Sequence, residues 1–98
     1  MTTRHTAAAS AASAAVTVVI EGITLPATFS RLPDALAALW EALRILPLGW
    51  AQYEVCQGYF GPEAVGRVEE ALARDGRLVM AFVLAGRSHT VTVEPARR

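Results

Sequence analysis

Leu78 to Leu84 reads LVMAFVL, a run without one polar side chain, set between Arg77 and the turn-like Ala85-Gly86-Arg87-Ser88. A strand carries apolar residues on both sides only where both sides are covered, so the run predicts an interior strand. In the segment that follows, His89, Val91 and Val93 alternate with Thr90 and Thr92, the pattern of a strand with one wet face. Together they predict a hairpin closed by Glu94-Pro95, with a sheet as the organising layer of the chain.

A second hairpin is expected near the start. Val16, Val18 and Ile20 share one face of an extended segment, and Glu21-Gly22 supplies a turn before Ile23 and Leu25 resume the alternation. Pro26 should end that second strand, because proline cannot donate to a ladder. Between the hairpins the period changes. Leu36, Leu39, Trp40, Leu43 and Leu46 follow the i, i+3, i+4, i+7, i+10 spacing of a core-facing helix that opens at Pro33-Asp34 and stops at Pro47 and Gly49. A second helix is expected from Gly61-Pro62-Glu63 to Asp75, with Val65, Val68 and Leu72 inward and Gly76 as its stop. Glu63 with Arg67 and Glu70 with Arg74 should form i, i+4 pairs on its outer side.

Trp50 to Phe60 holds four of the seven aromatic residues and the only cysteine. Read as a strand, it places Tyr53, Val55 and Tyr59 on one side and Trp50, Cys56 and Phe60 on the other, with Gly58 as a possible bulge. The resulting order is β-β-α-β-α-β-β: a two-layer α+β domain with a mostly antiparallel sheet and both helices on one face. Val19, Val79, Ala81 and Val83 would point to the other face, which then needs a cover.

The domain should span residues 15–95. Met1 to Ala14 is small and polar after the initiator Met and predicts a disordered tail; Arg4 before an Ala-rich run is the one hint of a secretory signal, but no apolar h-region follows. Residues 96–98 should fray. A body this small buries about 60 to 65 per cent of its unfolded surface, yet 53% of the residues are apolar and no run is long enough for a membrane span. That excess predicts a covered self-association face.

Nine Arg and no Lys balance nine acids, and nineteen Ala with no Asn carry the mark of a GC-rich genome rather than of phosphate binding. Formal neutrality offers nothing to a polyanion or an anionic membrane. A lone cysteine excludes an internal disulfide and fits a reducing cytoplasm.

Chemistry is sparse. Cys56 and His89 are the one thiol–imidazole pair outside the tail's His5, and Cys56 lies in an apolar segment with no orienting group, so it reads as a core residue and no catalytic residue is expected. The two His flank Cys56 too distantly for any metal spacing, and Glu69 and Glu70 point apart on a helix, so no metal or cofactor is expected. Gly58-Tyr59-Phe60-Gly61-Pro62 precedes a helix but lacks the Lys and Ser/Thr of a phosphate loop. What remains is binding. Trp50, Tyr53, Tyr59 and Phe60 are the expected protein-contact residues, most simply for a second copy, with Trp50 either capping the core or protruding as an anchor. The alternative is a nucleic-acid accessory factor in which Arg77 and Arg87 bracket the last hairpin beside a stacking platform of Tyr53, Tyr59 and Phe60.

Overall fold

The computed structural model describes residues 15–96. The expected tail, Met1 to Ala14, and the last two residues of the expected frayed end lie outside the described residues. The chain is α+β, with a four-stranded antiparallel sheet and three helices in the order β-β-α-α-α-β-β: β1 Val16–Ile20, β2 Ala27–Phe29, α1 Leu32–Arg44, α2 Trp50–Phe60, α3 Val65–Asp75, β3 Leu78–Leu84 and β4 Arg87–Pro95. The lateral strand order is β2-β1-β4-β3.

Three expectations are corrected. Trp50–Phe60 is a helix, not a strand. Its apolar residues lie all round the helix, with Tyr53, Cys56 and Phe60 turned to the core and Trp50, Val55 and Tyr59 outward, and Ala51, Gln52, Glu54 and Gln57 are good helix formers. The Tyr53 amide donates to the Gly49 carbonyl at its start, and the Gly61 amide donates to the Gln57 carbonyl at its end. Because Gly61 closes this helix, residues 61–64 form a turn, and α3 opens at Val65 rather than at Gly61.

The second correction concerns β2, which begins after Pro26 rather than ending there. The Ile23 and Thr24 amides both donate to the Ile20 carbonyl, while the Ile20 amide donates to Thr24 Oγ1. These bonds curl residues 21–24 into a turn before pairing can resume at Val18↔Ala27 and Val16↔Phe29. Gly22 sits there at φ +84, which favours glycine, and a Cβ would lie a tight 3.1 Å from His89 Nδ1.

The third correction matters most. β3, with the composition of an interior strand, lies at the edge of the sheet. It pairs with β4 alone, from Leu78↔Val93 to Leu84↔Arg87, through the two-residue turn Ala85-Gly86, where φ is positive at both positions as a tight hairpin demands. The interior positions belong to β1 and β4.

Helix α1 confirms its stripe: Leu36, Leu39, Trp40 and Leu43 are buried and Leu46 packs against them. Val16, Val18, Ile20, Met80, Phe82, Val91 and Val93 meet these residues from the sheet, with Cys56, Phe60, Val68 and Ala71 from α2 and α3. Since the buried residues alternate with exposed or half-buried ones along every long strand, all three helices cover one face. No helix of the described residues is long and apolar enough to cross a membrane.

Candidate interaction surface

The face of the sheet away from the helices is not uniform. In the register of β1, β4 and β3, one row reads Val19, Thr92, Val79; the next are Thr90 with Ala81 and Ser88 with Val83. Polar side chains thus run down β4, and apolar ones run down the rim strand β3. Val79 is 48% and Val83 52% exposed. At the opposite margin Thr17 and Thr28 close a hydroxyl–hydroxyl bond of 2.8 Å between β1 and β2. The open apolar surface is therefore a stripe along the rim, with Val19 set apart from it by Thr92 on β4.

The rim itself is partly closed. The Val83 amide donates to Gln52 Oε1 at 2.7 Å, and Gln52 Nε2 donates to the Val83 carbonyl at 2.7 Å, so one side-chain amide takes the place of a neighbouring strand. The same Nε2 donates to the Leu48 carbonyl at 2.8 Å, which fixes the side chain to the start of α2. Because alternate residues of an edge strand aim their backbone groups outward, the amides and carbonyls of Ala81 and Val79 share the outward direction of Val83. No hydrogen bond joins them to another element among the described residues.

Helix α2 runs along this rim, from Gln52 beside Val83 to Tyr59, which lines a cavity with Leu78. Its aromatic residues divide. Phe60 is 1% exposed and belongs to the core, so it offers no contact surface. Tyr53 is half-buried between two tryptophans: its ring lies 5.3 Å from Trp40, tilted, and 6.1 Å from Trp50, stacked. Trp40 is buried, as its stripe predicts, whereas Trp50 is 73% exposed on the outside of the stack. Tyr59 is exposed, and so is Val55 one turn before it.

Cys56 is fully buried, and burial pushes its thiol above the ordinary range. His89 lies elsewhere: its Nδ1 donates to the Glu21 carbonyl at 2.9 Å, and its ring stacks on Phe82 at 5.5 Å. No hydrogen bond joins His89 to Cys56 among the described residues. Arg77 and Arg87 stand at opposite ends of β3, roughly 23 Å apart along the strand, and form no joint patch. Among the described residues no three His, Cys, Asp or Glu side chains gather as metal ligands would.

Arg67 departs from its expected pairing with Glu63. It donates through Nη2 to the Gly58 carbonyl at 2.8 Å. Because α3 opens only at Val65, Glu63 lies in the preceding turn and is not a helical neighbour. Arg74 pairs with Asp75 at 3.2 Å rather than with Glu70. Gln52, Val55 and Arg67 are the surface residues that sequence reasoning missed, since their importance depends on β3 being an edge.

Compared with known protein families, curated proteins and solved structures, the chain matches none.

Proposed function

We propose that the chain is a small, non-catalytic protein-interaction module that self-associates through the open face of its sheet. The observation that carries this reading is the half-exposed stripe Val79, Ala81 and Val83, with Val19 across Thr92 from it, on the side that none of the three helices covers. Two such stripes stacked face to face would exclude water from β-branched side chains, the surface most suited to sheet-on-sheet packing. The exposed Trp50 offers a separate anchor at the end of α2. The sealed Cys56, with no hydrogen bond to His89, supports a role without nucleophilic chemistry.

The size of the face sets the expected strength. Four strands about 4.8 Å apart and about 20 Å long present on the order of 400 Å² in projection. Stable interfaces bury about 800 Å² per partner, so an exchanging dimer of micromolar affinity is expected. Sedimentation equilibrium from micromolar to submillimolar concentration tests it. The weight-average mass should rise toward that of two chains, and Val79→Arg should hold the chain monomeric without lowering its melting temperature. A monomer at every concentration, or a dimer indifferent to Val79→Arg, would overturn the reading.

A further inference from the structure

We infer that the rim of β3 is a docking site for an extended segment of another protein, one that adds as a fifth strand and carries an acidic side chain at the Leu78 end. This rests on the reading of the chain as an interaction module but not on self-association, because it uses the rim of the sheet rather than its face.

The first support is the mismatch between composition and place. Edge strands are normally short, charged, bulged or interrupted by proline. β2 obeys that rule, with three residues behind Pro26. β3 disobeys it over seven residues, LVMAFVL, with no charge and no proline. Only Val83 is closed off, by Gln52; Val79 and Ala81 keep outward amides and carbonyls able to bond an added strand.

The second support is α2. Val55 is 49% and Tyr59 44% exposed on the length of helix that follows Gln52 along the rim. A strand added to β3 would lie over them, and its alternate side chains would cover both. A second copy pairing rim to rim would bring its own α2 to the same place, whereas a lone extended segment meets no such helix.

The third support fixes the charge. Between α2, α3 and the first residue of β3 lies a cavity of about 370 Å³, with Tyr59, Val68, Ala71 and Leu78 as apolar lining and Arg67 and Arg74 as its cationic groups. Arg77 is exposed immediately before Leu78. Arg74 is bonded to Asp75 and feels Glu70, but Arg67 spends one donor on a neutral carbonyl and has no carboxylate within ion-pair distance among the described residues. A guanidinium in that state binds a carboxylate in a fork that a lysine could not supply.

Selection of a displayed random octapeptide pool on the full chain tests this. The expected binders alternate apolar or β-branched residues and end in Asp or Glu. Replacing that acid by Lys, or Arg67 by Glu, should each weaken binding about tenfold or more, while Arg87→Glu, on β4 opposite Leu84 at the far end of the hairpin, should change it less than about twofold. Hydrogen exchange at the Val79 and Ala81 amides should slow on binding. The inference is overturned if no peptide is selected, if the selected peptides lack the acid, or if those two amides exchange as fast with peptide as without. Arg67→Glu lies on an exposed helix surface, and an unchanged melting temperature checks that it folds. Sedimentation of the same variant separates the two readings: loss of peptide binding with self-association intact is expected here, and peptide binding that survives Arg67→Glu overturns this inference whatever the state of self-association.

Discussion

Phe82 and Val83 are consecutive residues of one strand and live in different solvents. Phe82 is 3% exposed, packed beneath the helices and against His89, whereas Val83 faces outward from the uncovered side. The same contrast holds between Met80 and its neighbours Val79 and Ala81. A strand this apolar on both sides suits two covers, and the described residues supply one. The difference teaches where stability resides and where hydrophobic surface stays open among the described residues.

The largest expected effect breaks that contrast from the packed side. Phe82→Ala should cost about 3–5 kcal/mol, because it removes a buried ring from a core that cannot collapse around the gap. Val83→Ala should cost under about 1 kcal/mol in the monomer, since about half of the residue already meets water. Urea denaturation of both variants at a concentration where the chain is monomeric measures the ratio. Equal losses would mean that the outer face is covered within a single chain.

The rim offers an intermediate effect. Gln52→Ala removes both bonds to Val83 and the bond to the Leu48 carbonyl, and water replaces them at this exposed position, so a loss of about 1 kcal/mol is expected. The sharper readout is local. The Val83 amide should exchange several-fold faster, while the amides of Met80 and Phe82, bonded into β4, keep their protection. Exchange unchanged at Val83 would show that Gln52 does not close the rim.

Much of this architecture was legible from pattern alone. The α1 stripe, the Gly76 stop, the final hairpin and the outward direction of Val19, Val79, Ala81 and Val83 follow from periods of 3.6 and 2. Lateral order does not. Whether LVMAFVL lies inside or at the rim depends on Val18 finding Val93, seventy-five residues later, and nothing local in either segment specifies that pairing. Trp50–Phe60 carries apolar residues all round and follows neither period, so its helix is decided by where its residues can be buried once Gln52 and Cys56 meet their partners. Arg67 became free of Glu63 because Gly61 closes α2 and delays α3, a boundary effect of a few residues that reverses the reading of a charge. The candidate surface was therefore visible as a set of residue types but not as an arrangement.

The smallest effect tests the covered side through its one titratable thiol. Cys56 is surrounded by core side chains, and desolvation raises its pKa above the ordinary 9.0. The native state therefore holds the proton more tightly than the unfolded chain does. Below about 9 both states are protonated and this group contributes no pH dependence; as pH rises past that value, unfolding releases the proton and stability falls until the native thiol also ionises. Urea midpoints compared from pH 7 to pH 10 should decline more steeply for the natural chain than for Cys56→Ala, whatever the offset between them from the small cavity. Parallel curves would mean that water reaches Cys56, and a thiol probe that labels the native chain faster than it unfolds would say the same of the interior between α2 and the sheet.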